Sequence, residues 1–137
     1  MENISQSTKV FVVEDSAAMR IRLTAMLADI KGVAVVGEAE TPAAAIDGIF
    51  DTRPDSVVLD IHLLGGTGLE VLRKVHPQAP ETVFIVLTNH PSPQYRKAYL
   101  DAGASYFLDK STEIATVAGI IAGLRDPSAN QPEGKTS

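Results

Sequence analysis

Five times along the chain a short apolar run is followed by a helix-capping residue and then by apolar positions at helical spacing. No other feature constrains the fold as much. Val10 to Val13 precedes Ser16, and Met19, Leu23, Met26, Leu27 and Ile30 follow with a stop at Gly32. Val33 to Val36 precedes Thr41-Pro42, an N-cap and first-turn pair, and a helix through Ile46, Ile49 and Phe50 that stops before Pro54. Val57 to Leu59 leads to Thr67 and a helix with Leu69, Leu72 and Val75. Val83 to Leu87 leads to Ser92-Pro93 and a helix through Ala98 and Ala102 to Gly103. Tyr106 to Leu108 leads to Ser111, expected to cap a last helix with Ile114, Val117, Ile120, Ile121 and Leu124.

Each helix must return the chain before the next strand starts, so the strands run parallel, and right-handed crossovers place helices on both faces. The expected class is α/β: a doubly wound, five-stranded parallel sheet in a flavodoxin-like (βα)5 three-layer sandwich. The strand order expected of that arrangement is 2-1-3-4-5. The 137 residues suit one domain, expected over 9–125, with a flexible 1–8 and a disordered polar tail over 126–137. A net charge of −5 argues against nucleic acid as a partner. The absence of Cys excludes disulfides, thiol nucleophiles and thiolate metal sites. The start MENISQST is not a signal peptide, and no apolar run approaches a membrane span, so a cytoplasmic protein without membrane insertion is expected.

The ligand crevice of such a fold lies beyond the carboxyl ends of the strands. There the sequence places Glu14-Asp15 after the first strand, Asp60 after the third, Thr88 at the fourth, and Asp109-Lys110 at the fifth. Three carboxylates at about 5 Å and an effective dielectric near 20 repel pairwise by roughly 3 kcal/mol, which implies a cation in addition to Lys110. An all-oxygen donor set favours a hard ion such as Mg²⁺. The first strand–helix turn, Glu14-Asp15-Ser16, repels phosphate unless a metal bridges them, and neither glycine-rich nucleotide motif is present. Gly65-Gly66-Thr67-Gly68 reads as a flexible turn rather than a phosphate nest.

The pieces VFVVEDS, SVVLDIHLLGGTGLEVL, VFIVLTN and AGASYFLDKS, in order across Lys9 to Leu124, resemble the receiver domain of two-component response regulators. Without an output domain in the sequence, the likeness is to the single-domain type. The resemblance implies that Asp60 accepts a phosphoryl group from a histidine kinase or histidine phosphotransfer domain, with Lys110 offsetting charge. It implies Mg²⁺, with Mn²⁺ as a substitute, held by Glu14, Asp15, Asp60 and the backbone carbonyl of His62. Thr88 and Phe107 become the switch residues, acting on the face of the fourth helix, fifth strand and fifth helix and so on an unknown downstream protein. No enzyme class is implied beyond self-phosphorylation and self-dephosphorylation. Tyr106 points to the opposite sheet face from Phe107 by strand alternation.

His62 and His90 each stand two residues beyond a site residue, where they either tune water access to an aspartyl phosphate or are plain exposed loop histidines. Asn89 is bulkier than the family's usual small residue and bears on donor entry. Leu64 and Ser111 stand where the family favours Pro, and Phe107 where it favours Tyr. His76 is expected to complement a helix C-terminus. Tyr95 and Tyr99 share a helix face that is either core or partner surface. Two other readings stay open: an interaction module that works without phosphorylation, and a small-molecule phosphohydrolase with an Asp nucleophile. Against the second, the position two beyond Asp60 is His62 rather than Asp.

Overall fold

The computed structural model describes residues 7–124, so the expected tail over 126–137, residue 125 and most of the expected flexible start lie outside the described residues. The elements are β1 (Thr8–Val13), α1 (Ala17–Ala28), β2 (Val33–Ala39), α2 (Pro42–Thr52), β3 (Ser56–Leu59), β4 (His62–Leu63), β5 (Gly66–Thr67), α3 (Gly68–Val75), β6 (Val83–Thr88), α4 (Pro93–Asp101), β7 (Tyr106–Asp109) and α5 (Ile114–Gly123). Five parallel strands form one sheet in the order β2-β1-β3-β6-β7. Once the two-residue strands β4 and β5 are set aside, this is the expected 2-1-3-4-5. Thr8, expected in the flexible start, already belongs to β1 and donates its amide to the Gly32 carbonyl at 2.8 Å.

Strand alternation divides the core into two layers. Phe11, Val13, Val57, Leu59, Phe84, Val86 and Phe107 face α2, α3 and α4. Val10, Val12, Val58, Ile85, Leu87, Tyr106 and Leu108 face α1 and α5, where Leu23, Leu27, Val117 and Ile121 meet them. Phe107 and Tyr106 thus lie on opposite faces, as alternation requires. Side chains buried this completely each contribute about 1.5–3 kcal/mol, which fixes the register on which the strand ends depend.

The caps fall largely where the sequence places them. The side chains of Ser16, Thr41, Thr67 and Ser92 accept the amides of Met19, Ala44, Glu70 and Tyr95. Glu70 also accepts the Thr67 amide at 3.0 Å, completing a capping box. The expected Ser111 cap is corrected. α5 begins at Ile114 after Glu113, whose side chain makes no capping bond. Ser111 instead donates its amide and hydroxyl to Asp109 Oδ1 at 2.9 and 2.7 Å. A short side chain next to a turn competes for local backbone groups in this way, and the nearer carboxylate wins over the helix end.

Gly65-Gly66-Thr67-Gly68 is also more ordered than a flexible turn. His62–Leu63 pairs antiparallel with Gly66–Thr67, and Gly65 takes φ +82° at the bend. Gly68 has a separate constraint, since a Cβ there would run into the carbonyl oxygen of Asp60.

Candidate functional site

Three residues of the crevice are pinned by the neighbouring strand just past their own strand's end. The amide of Glu14 donates to Ala39 O at 2.9 Å, that of Asp60 to Val13 O at 3.0 Å, and that of Lys110 to Thr88 O at 2.8 Å. The ladder therefore continues one residue into the site, and side chains 96 positions apart in the chain meet. Lys110 Nζ lies 2.8 Å from Glu14 Oε1 and 3.3 Å from Asp60 Oδ2, and all three residues are buried. Asp15 is exposed beside them, and one carboxylate oxygen from each of Glu14, Asp15 and Asp60 falls within 4.8 Å of the others.

Three carboxylates against one ammonium leave the cluster two charges negative, and its titration follows. Burial pushes the Glu14 carboxyl above its usual range, with Asp60 adding to the rise and the Lys110 and Ser16 hydrogen bonds opposing it. Burial alone would lower the Lys110 ammonium, but its bond to Glu14 and the attraction of Asp60 and Glu14 outweigh that and raise it. Glu14 thus holds a proton more tightly chiefly because it is buried, and Lys110 because two carboxylates flank it. An oxygen-only trio of this spacing, partly dehydrated and short of positive charge, fits a hard divalent cation.

The cluster opens into a shallow cavity of about 200 Å³ whose lining includes Ser16, His62, Asn89 and His90. His62 and His90 are not independent loop residues. Their ring centroids lie 5.3 Å apart at 80°, and Tyr95, from the first turn of α4, meets His62 at 6.1 Å and 85°. Tyr95 and Tyr99 part company: Tyr95 is exposed, while Tyr99 is in the core with its ring 6.0 Å from Phe107. Thr88 is fully buried behind the cavity, and its hydroxyl oxygen accepts the His90 amide at 2.9 Å. Asp60 Oδ1 accepts the Ile61 amide at 2.8 Å, which leaves Oδ2 toward Lys110. His76 caps the end of α3 and packs where a side chain at Gly103 would collide with its ring.

Sequence reasoning did not single out Tyr95 as a neighbour of His62, Gly68 as the close approach behind Asp60, or Arg20. Arg20 alone leaves a trace in the sequence, as a basic residue near the positive end of a helix dipole.

An acidic strand-end cluster with a buried lysine, on a doubly wound sheet, defines a signalling-receiver type of fold as its class. Residues 10–122 match the family model of the response regulator receiver domain, and the chain belongs to that family of two-component signalling proteins. It is 32% identical over 113 residues to the response regulator GacA of Pseudomonas syringae pv. syringae, covering 82% of this chain and 53% of GacA. It is 31% identical over 112 residues to the response regulator UvrY of Escherichia coli, covering 82% of this chain and 51% of UvrY. The chain thus spans about half the length of these curated relatives. Among solved structures, the response regulator domain of Thermotoga maritima CheB superposes with a TM-score of 0.77 at 26% identity, covering 92% of this chain and 99% of that one. A LuxR-family two-component response regulator from Aurantimonas sp. SI85-9A1 superposes with a TM-score of 0.82 at 25% identity, covering 91% and 88%. No helix among the described residues is long and apolar enough to cross a membrane.

Proposed function

We propose that this receiver takes a phosphoryl group on Asp60 from a phosphohistidine of a histidine kinase or a histidine phosphotransfer domain. The observation that carries the reading is the convergence of Glu14, Asp15 and Asp60 around Lys110. In the transfer an Asp60 carboxylate oxygen forms a bond to phosphorus as the phosphorus–nitrogen bond of the donor breaks, and the departing imidazole keeps the electron pair and takes up a proton. Lys110 offsets charge on the moving phosphoryl group, so the contribution of the site is positioning and electrostatics. Glu14, Asp15, Asp60 and the His62 backbone carbonyl would hold Mg²⁺, or Mn²⁺ in its place. A bound divalent ion supplies neutralisation of phosphoryl oxygens beside the carboxylates.

Thr88 is the switch. Its hydroxyl oxygen is held by the His90 amide, and the hydroxyl proton remains for donation to a phosphoryl oxygen. Phe107, buried against Tyr99, follows that movement and alters the surface formed by α4, β7 and α5. His62, Asn89 and His90 line the mouth and set how readily water reaches the acyl phosphate. The output is contact with a downstream protein in the cytoplasm, or onward phosphotransfer, and the net charge of −5 favours a protein over nucleic acid at the contact.

The test is intact-mass analysis after acetyl phosphate and Mg²⁺, or after incubation with phosphorylated kinase. One added phosphoryl group is expected on the wild type and none on Asp60→Asn. An adduct that persists in Asp60→Asn, or no adduct with any donor, overturns the reading.

A further inference from the structure

The phosphotransfer scheme makes no use of Arg20. It lies four residues past the Ser16 cap, where a cation opposes the helix dipole, yet its guanidinium is turned back toward the Glu14 carbonyl and its side chain is only 20% exposed. Nη1 donates to the Glu14 carbonyl oxygen at 2.8 Å. Its contacts with Glu40 Oε1 and Glu38 Oε1 are longer, both 3.4 Å, and those glutamates are 49% and 46% exposed. Exposed ion pairs of this kind contribute about 0–1 kcal/mol, so the short bond to the carbonyl is the contact that matters.

That carbonyl belongs to the peptide joining Glu14 to Asp15. The following peptide is held as well, because the Ser16 amide donates to Glu14 Oε2 at 3.1 Å. Asp15 therefore sits between two fixed peptides. Among the described residues its own carboxylate has no hydrogen-bond or ion-pair partner, although one of its oxygens completes the trio. Its direction is consequently set by its backbone. The same guanidinium touches Glu40, whose carbonyl accepts the Leu64 amide at 3.0 Å in the loop after Asp60. One side chain thus joins the acidic turn to the end of β2 and, through it, to the loop beyond the acceptor.

We propose that Arg20 is a positioning residue for the acidic site, holding the Glu14–Asp15 peptide so that the unpartnered Asp15 carboxylate stays in reach of a cation shared with Glu14 and Asp60. This rests on the reading of that cluster as a Mg²⁺ site. The sign of the effect separates positioning from simple charge. A guanidinium this near repels a cation, so by charge alone its removal would tighten Mg²⁺ binding. Positioning requires that its removal loosen it.

The experiment is calorimetric titration of Mg²⁺ alone into the full chain as wild type, Arg20→Gln, Asp15→Ala and the double variant, with urea unfolding of each in EDTA. Arg20→Gln is expected to weaken Mg²⁺ binding about tenfold, the usual scale for residues that orient metal ligands. It is expected to add nothing in the Asp15→Ala background, a non-additivity that general loosening of the fold would not produce. Unchanged or tighter binding by Arg20→Gln, with Asp15→Ala weakened, overturns the positioning role and leaves the Mg²⁺ reading intact. Equal binding by Asp15→Ala and wild type overturns the Mg²⁺ reading itself. Should Arg20→Gln fail to fold, Arg20→Lys carries the same test. It keeps the charge but not the forked geometry, so affinity between wild type and Asp15→Ala supports the proposal, and wild-type or tighter affinity refutes it.

Discussion

Lys110 Nζ lies 2.8 Å from Glu14 Oε1, a contact between the loop after β7 and the loop after β1 in which the two side chains are 6% and 2% exposed. Because the pair also serves Asp60, Lys110 holds two carboxylates that have little water to turn to. Lys110→Met should therefore cost about 3 kcal/mol in metal-free buffer, the scale for removing one partner of a buried pair. Urea unfolding in EDTA measures it. Added Mg²⁺ should recover part of the loss, since a cation would then supply the missing charge. A variant as stable as the wild type in EDTA would mean the pair is not buried as described.

Asp60→Asn should act in the other direction. Asp60 faces two carboxylates within 4.8 Å and one ammonium at 3.3 Å. At an effective dielectric near 20, two repulsions of about 3 kcal/mol each stand against an attraction of about 5 kcal/mol. The balance is a gain of about 1 kcal/mol for the neutral variant without metal, with reduced response to Mg²⁺. A lower urea midpoint for Asp60→Asn in EDTA would contradict the charge balance of the cluster.

Gly68→Ala tests the support behind the acceptor. The new methyl would meet the Asp60 carbonyl oxygen and the Leu59 side chain, and the Gly68 amide already donates to Ile61 O at 3.0 Å. The strand end must shift to make room. We expect about 1–3 kcal/mol lost by overpacking, together with slower phosphorylation by acetyl phosphate. Wild-type values for both would show that the loop yields freely.

Tyr99 supplies a pH dependence of known sign. Burial raises its hydroxyl from 10.0 to about 12, with Asp60 among the lesser causes, and the residue is 3% exposed. A group with a raised folded-state value adds stability that is complete below its unfolded value and is lost as pH climbs through the folded one. Wild-type protein should thus lose about 2–3 kcal/mol relative to Tyr99→Phe between pH 10 and 12. Parallel stability curves for the two proteins across that window would refute a protonated, buried Tyr99.

The sheet and the composition of the site were legible because both depend on short-range pattern. Apolar runs such as Val10–Val13 and Val57–Leu59 mark buried parallel strands, and whatever follows them must emerge at one edge, which places Glu14, Asp15, Asp60 and Lys110 together. Ser111 misled because a serine before a helix and a serine beside an aspartate look alike in one dimension, and only the Asp109 geometry separates them. The His62–Leu63 and Gly66–Thr67 ladder is too short for any period to register. The contact of His62 with His90 and Tyr95 depends on three separate segments finding one another, as does the reach of Arg20 to the Glu14 carbonyl.

β7 is an edge strand of the sheet and the last in order among the described residues, yet the residue after it delivers the cation that the β1 turn requires. A nascent polypeptide emerging from the ribosome therefore displays its acidic residues long before their counter-charge arrives. Only when the segment through residue 110 has emerged and docked can the anionic edge be neutralised internally, so competence at this site waits on the docking of β7.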